Sequence, residues 1–438
     1  MTGWGLNSGF AEVVGGAAVG SRLRADAGWG RMGLPSGAVR VGARARREVR
    51  VDPSRITSVA EARRLAARVL PRALFDYIDG AADDELTMVR NEEAFRRVGF
   101  RPRMATPTSE PRLGVELLGR TLSLPVLLAP CGLAVAVHPD GPGGVARAAR
   151  ARGTVSVLSA VAGVSPEQVG AALGEGERPL WYQLYAPGGR AEWEPLVDRV
   201  AAAGYEALMV TVDTPALGNR ERDRRNGISG SMSASVRGAA LLAAQVAVRP
   251  GWAARMGRAL VASRRQGTDG PTVGLVAAGG SPFTWDDVAA LVERWNGPVV
   301  VKGILGGPDA RRALDAGAAA VVVSNHGGRQ LDGAPATLDV LPEVVAEVAG
   351  AVPVLLDSGV RRGGDVVKAM ALGAAAVLVG RPYLYALAVA GQAGVERLVG
   401  LFRADLVRTL VLLGCPGVDA LGPEWVAGAP EGSGTVRR

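Results

Sequence analysis

Two histidines are all that this chain of 438 residues carries, and only two of its 50 basic residues are lysine. Where those few groups stand is therefore informative. His326 lies in the run Ser324-Asn325-His326-Gly327-Gly328-Arg329. An imidazole ionises near neutral pH and suits a general base. Arg329, three residues on, offers a planar fork that grips a carboxylate. A base beside such a clamp is what removal of a proton or hydride next to a carboxylate requires. Lys302 ends the apolar run PVVVKG. A lone buried ammonium is costly and needs an anion, either a structural carboxylate or a bound substrate or cofactor. At ~4 Å and an effective dielectric of ~20, that attraction is about 4 kcal/mol. Asp357-Ser358-Gly359-Val360-Arg361, with Gly363 and Gly364 behind it, reads as an anion site. Its glycines let backbone N–H groups approach a phosphate at a helix N-terminus. Gly380-Arg381 adds charge-assisted hydrogen bonds. His138, in AVHPDG, reads as a loop residue.

These groups must be held by a frame, and the sequence indicates one. Short apolar runs recur at 125–130, 155–160, 180–185 and 207–213, then at 298–303, 320–325, 352–357 and 376–380. Continuous apolar runs suit parallel strands buried on both faces. Amphipathic stretches separate them, so the chain reads as eight βα units. Eight units predict a TIM (β/α)8 barrel, with an open doubly wound sheet as the alternative. Seven of the eight runs end in polar residues: Ser159, Gln183 with Tyr185, Thr211 with Asp213, Lys302, the His326 segment, Asp357 and Gly380-Arg381. Barrel active sites lie at those C-terminal strand ends, often with a phosphate after strands seven and eight. Strand starts four and five are 91 residues apart, so an insertion of about 214–283 is expected in the loop after strand four. Upstream, Ser58 and Glu61 read as a capping box opening a helix from Val59 to Val69, broken at Pro71. A helical preamble, the main domain over 51–420 and a tail at 421–438 complete the expected organisation.

These residues resemble the FMN-dependent L-2-hydroxy-acid oxidases and dehydrogenases, such as glycolate oxidase, L-lactate dehydrogenase and mandelate dehydrogenase. SNHGGRQLDG (324–333) is the most specific match, supported by LFDYIDGAADDE (74–85), WYQLY, TVDTP and DSGVRRGGDVVKAMALGA (357–374). The resemblance runs from about Ile56 to Cys415. It implies FMN as cofactor and a small L-2-hydroxy acid as substrate, L-lactate first; the alternatives are a mandelate- or glycolate-type acid, another FMN barrel such as an isomerase, and a non-catalytic membrane-surface FMN-binding protein. It implies that Tyr77, Tyr185, Arg220 and Arg329 bind the substrate, that His326 takes its proton and that Asp213 orients the histidine. It further implies that Pro130, Cys131, Gly132, Ser159, Gln183, Thr211 and Lys302 contact the isoalloxazine side of FMN. Asp357, Ser358, Gly359, Arg361, Gly380 and Arg381 would hold its phosphate. A homotetramer is the assembly the resemblance implies.

Two positions depart from that pattern. Val161 stands where glycolate oxidases have a tryptophan lining the substrate side chain, so a bulkier acid is expected to fit. Ala216 replaces the usual arginine of TPRLG. The haem domain of the yeast lactate dehydrogenases has no counterpart in the first fifty residues, which contain no histidine.

The insertion carries its own expectation. Residues 228–268 contain no Asp or Glu but hold Arg237, Arg249, Arg255, Arg258, Arg264 and Arg265, interleaved with AALLAAQVAV and Trp252. That pattern reads either as a basic amphipathic segment lying on an anionic membrane or as a lid or oligomer contact. A membrane-bound enzyme would hand electrons to quinone or another carrier, a soluble one to O2.

Composition excludes several other classes. Hydrophobic residues make up 48% and charged residues 21%, which rules out a disordered chain. Two distant cysteines, Cys131 and Cys415, form neither a disulfide framework nor a zinc set, and no metal is expected. No apolar run approaches the ~18 residues of a membrane span, and the N-terminus lacks a secretory signal pattern. A cytoplasmic setting follows, with peripheral contact on the inner face of the cell membrane as its variant. The net charge of +8 is concentrated in residues 1–50, where eight arginines face three acids. That stretch reads as a disordered or mis-called N-terminal extension, or as a basic tail; no nucleic-acid partner is expected.

Overall fold

The computed structural model describes residues 52–428, except 175, 178–179, 187–188, 228–235 and 266–282. The extension expected at 1–50 lies outside the described residues.

Eight parallel strands form one sheet: β1 (Val126–Leu128), β2 (Val157–Ser159), β3 (Trp181–Leu184), β4 (Ala207–Thr211), β5 (Val299–Ile304), β6 (Ala320–Val323), β7 (Val354–Leu356) and β8 (Ala376–Val379). Seven fall within the apolar runs, and β5 runs one residue past its own, to Ile304. Neighbours pair in the order β1-β8-β7-β6-β5-β4-β3-β2, and a parallel bridge between Leu128 and Ser156 joins the ends. The sheet is a closed (β/α)8 barrel, not a doubly wound one.

The period-two alternation of a strand sorts its side chains. One phase of each strand fills the barrel: Leu127, Val157, Trp181, Met209, Val300, Val322, Leu355 and Leu378 form a single buried cluster. The other phase, such as Leu128, Leu208, Val301 and Val323, packs against the helices. Removing each Val or Leu from water contributes roughly 1.5–3 kcal/mol. Continuing the inward phase to the C-terminal end of each strand reaches Ser159, Gln183, Thr211, Lys302, Ser324 and Asp357, all buried. The barrel therefore has an apolar plug below and a polar layer above it.

The preamble folds as helices Val59–Val69, Arg72–Asp79 and Leu86–Arg97. Ser58 Oγ accepts from Glu61 N at 3.1 Å, the expected N-cap. At the other end, Val426–Ala427 pairs antiparallel with Gly99–Phe100, and Trp425 is buried. The packed body thus runs past residue 420, the boundary expected from sequence.

The described part of the insertion is largely helical. It contains Glu221–Arg225, Val236–Ala247 and Pro250–Arg265. Trp252, part of the segment read as either a membrane face or a lid or oligomer contact, is buried within the chain, its indole donating to Ala136 O at 3.2 Å. Arg249 Nε donates to Leu70 O at 3.0 Å, at the C-terminal end of the first preamble helix. Gln245 Oε1 accepts from Ala73 N at 2.6 Å. The indole is used up inside the protein because its N–H finds a carbonyl there, and burial of the ring favours docking.

Candidate active site

A cavity of about 510 Å³ opens at the C-terminal strand ends, within the ~300–1,000 Å³ usual for small-molecule sites. Tyr77, Val161, Tyr185, Arg220, His326 and Arg329 line it. So do Pro130, Cys131, Gly132 and Lys302, and the two phosphate-site segments, Asp357 to Gly359 with Arg361, and Gly380 with Arg381. Residues from all eight strand ends and from the preamble meet there. Ser159, Gln183, Thr211 and Asp213 are not part of that lining; the first three belong to the buried polar layer of the barrel.

His326 opens a 3-10 turn (His326–Gly328) and adopts φ 56°, a left-handed conformation that a non-glycine residue takes at some cost. Its backbone N–H donates to Ser324 Oγ at 3.1 Å. Nδ1 lies 2.9 Å from Asp213 Oδ1, and Nε2 lies 3.5 Å from the Tyr185 hydroxyl. With Nδ1–H donating to the carboxylate, the lone pair is on Nε2. Asp213 reaches the ring because β5 bulges between Lys302 and Ile304. Gly303 sits at φ 117°, and a Cβ there would lie 2.8 Å from Asp213 Cβ. Burial holds the imidazole below its ordinary pKa, only partly offset by Asp213. Burial also raises the Asp213 carboxyl, but His326 and Lys302 outweigh it and leave it below the usual carboxylate range. A neutral base beside an ionised carboxylate results.

Lys302 Nζ lies 3.0 Å from Asp357 Oδ2 and donates to Ser324 Oγ at 2.8 Å. Burial lowers its pKa, yet Asp357 and Asp213 reverse the sign and keep it charged. The structural carboxylate is thus present, on the anion loop itself.

The arginines are different. Among the described residues, no salt bridge forms to Arg220, Arg329 or Arg381. Arg329 donates to the carbonyls of Tyr77 (2.6 Å) and Gly80 (2.9 Å) and lies 4.9 Å from the Tyr77 ring centroid. Arg381 donates to Gly327 O (2.9 Å) and Gly80 O (2.7 Å). Burial pushes both Arg220 and Arg381 down to about 10, with Arg329 adding to each. Half-buried guanidiniums lacking a salt-bridge partner mark places where a bound anion is stabilised. Arg220 is positioned by Gln330, whose Oε1 accepts from it at 3.3 Å while Nε2 donates to Ala216 O at 2.7 Å. Arg222, two residues on, ties this segment to the preamble through Asp79 at 2.9 Å and through Glu85.

The residues fit a flavin phosphate ester. Ser159 Oγ donates to Gln183 Oε1 at 2.8 Å, leaving Gln183 Nε2 buried without a partner. An unsatisfied buried donor is expensive, and a heteroaromatic ring edge rich in acceptors would satisfy it. Arg361 and Arg381 stand ready for the phosphate. Sequence reasoning placed Ser324 and Gln330 in the His326 motif but gave no role to either: Ser324 holds both Lys302 and His326, and Gln330 orients Arg220. Ser324 was accessible as the next inward position after Ala320 and Val322.

Residues 66–428 match the FMN-dependent dehydrogenase family. The chain belongs to that family. Its cofactor is FMN, and its chemistry is the oxidation of 2-hydroxy acids. The chain is 43% identical over 357 residues to an L-lactate oxidase of Nostoc sp., an alignment covering 81% of this chain and 93% of that protein. It is 41% identical to a 4-hydroxymandelate oxidase of Amycolatopsis orientalis over 83% of this chain and 96% of that one. Among solved structures, the monotopic membrane protein (S)-mandelate dehydrogenase superposes with a TM-score of 0.74 and 34% identity, covering 85% and 99% of the two chains. These relatives divide between lactate and mandelate substrates, and between oxidase and dehydrogenase.

Proposed function

We propose that this enzyme oxidises an L-2-hydroxy acid larger than glycolate to its 2-keto acid, with His326 as general base. One observation carries the reading: His326, held from behind by Asp213, shares a cavity with Arg220 and Arg329, two guanidiniums that form no salt bridge among the described residues. Oxidation at C2 removes two electrons and two protons. Arg220 and Arg329 grip the substrate carboxylate, which fixes C2 relative to the base. Tyr77 and Tyr185 line the same space. His326 Nε2 takes a proton, and Asp213 stabilises the imidazolium through Nδ1. FMN, when bound, accepts the electron pair. Gln183, Lys302 and the Asp357–Arg361 and Gly380–Arg381 segments are the residues that would hold it.

Val161 in place of a tryptophan supports a substrate with a side chain. L-lactate is the first acid to test and mandelate the second. Steady-state kcat/KM for L-lactate, L-mandelate and glycolate, each with oxygen or a quinone analogue as acceptor, tests both choices. Glycolate as the best substrate would defeat the size argument. Val161→Trp should lower kcat/KM for mandelate by about 10-fold or more while sparing glycolate, since overpacking a filled site costs about 1–3 kcal/mol.

Peripheral membrane contact is proposed as well. Leu241 and Val261 of the inserted helices and Val248 between them are 42%, 50% and 66% exposed. No helix among the described residues is long and apolar enough to cross a membrane. Electrons would then pass to quinone or another carrier. The homotetramer is carried forward on the resemblance, with light scattering as its test.

A further inference from the structure

One buried contact joins the base to the anion loop, and neither the preamble's helical pattern nor the base motif announces it. Asn91, in the helix Leu86–Arg97, is 2% exposed, and Asn325 is 4% exposed. Their amides form a reciprocal pair: Asn91 Nδ2 donates to Asn325 Oδ1 at 2.9 Å, and Asn325 Nδ2 donates to Asn91 Oδ1 at 2.8 Å. Asn91 Oδ1 also accepts from Thr337 N at 3.2 Å. Asn325 is the N-cap of the turn that begins at His326, its Oδ1 accepting from Gly328 N at 3.2 Å. The Asn91 side chain thus reaches the base through one residue, and Asn325 has little rotational freedom.

The same residue meets the anion loop by its backbone. Gly359, at φ 87°, is so close that a Cβ would lie 2.4 Å from Asn91 O. Ser358 closes the frame: its Oγ accepts from Gly327 N at 3.0 Å and donates to Asp357 Oδ1 at 2.8 Å. Thr337 Oγ1 donates to Asp357 O at 2.7 Å.

We propose that Asn91 is a positioning residue for the reaction, holding the His326 turn through Asn325 while its backbone seats the loop that would bear the FMN phosphate. This rests on the reading of His326 as the base. The left-handed backbone of His326 supplies the need: such a conformation persists only where its surroundings over-determine it. Two amides satisfied by each other in a dry site provide that restraint. The two contacts are separable, because a side-chain substitution leaves the Asn91 carbonyl in place under Gly359.

Asn91→Ser in the flavin-loaded enzyme is the test, with Asn325→Ser and the double variant beside it. The expected result is one bound FMN by absorbance and a kcat lower by about 10–100-fold, as when a partner that orients a reacting group is lost. The deuterium isotope effect from C2-labelled substrate should rise as bond cleavage becomes more limiting. The chain has only two histidines, so NMR of labelled histidine in His138→Gln isolates His326. Its titration should move in Asn91→Ser. The double variant should lose no more than Asn325→Ser alone, because the effect runs through Asn325. Folded, FMN-loaded Asn91→Ser with unchanged kcat, isotope effect and His326 titration would overturn the assignment. So would additive losses, or flavin-free, unfolded protein for both single variants, which mark the pair as packing only. His326→Gln run in parallel separates the two ideas: if it retains turnover, the reading of the base fails, whatever Asn91 does.

Discussion

His326 works as a base only while neutral, and its surroundings set when that holds. Burial lowers its pKa and Asp213 opposes the shift. As pH falls through that lowered value the ring gains a proton and kcat/KM must fall with it. The acid limb is therefore expected below the ordinary imidazole value of 6.5. Asp213→Asn removes the group that raises the histidine, so the limb should move further down while the plateau drops by about 10²-fold or more. A pH profile of kcat/KM for both proteins checks the sign; a limb that moves up contradicts it. Arg381 is the matching residue for the cofactor. Arg381→Met should weaken FMN binding about 10–100-fold, because a charge-assisted hydrogen bond contributes about 1.5–3 kcal/mol. Flavin released on dialysis measures that loss. His326 and Lys302 were legible in the sequence because the scarce His and Lys stood at strand ends, and Arg329 and Arg381 because they follow glycines just beyond strands six and eight. Asn91 was not, because its partner is 234 residues away and a helical Asn has no pattern that marks it.

At the scale of elements, the strands were readable because both faces are buried, which leaves apolar runs with few interruptions. The polar layer follows from the same alternation carried past the plug. The bulge in β5 was not readable, since a single glycine inside VVVKGI is equally a simple loosening of the strand. It has a function here: Gly303 gives Asp213 room beside His326. Gly303→Ala should cost about 1–3 kcal/mol in strain and lower kcat together with Tm; unchanged values for both would show that the bulge is incidental. The inserted helices were legible as amphipathic, but not where they dock. Their docking partners are backbone carbonyls, Leu70 O and Ala136 O, which have no sequence signature. Trp252→Ala should release the helix Pro250–Arg265 and speed limited proteolysis near it, since deleting a buried indole costs about 3–5 kcal/mol.

Across the whole molecule, one face of the barrel carries the cavity, the preamble caps it and the insertion leans on the preamble. Among the described residues, Leu241 and Val261 of the inserted helices and Val248 between them are exposed large apolar side chains. If that face meets a membrane, replacing all three by Asp should abolish flotation with anionic liposomes and leave FMN content and kcat with a soluble acceptor intact. Flotation that survives the triple change moves the contact elsewhere. The central claim is narrower: His326, Asp213 and the two arginines form one oxidising site. The most direct test is anaerobic stopped-flow mixing of the yellow FMN-loaded protein with L-lactate and with L-mandelate, in wild type and in His326→Gln. Wild type should bleach with at least one acid, and His326→Gln should keep its FMN while bleaching slower by about 10² to 10⁴-fold. Equal bleaching rates in the two proteins, or no bleaching of flavin-loaded wild type by either acid, would contradict the account.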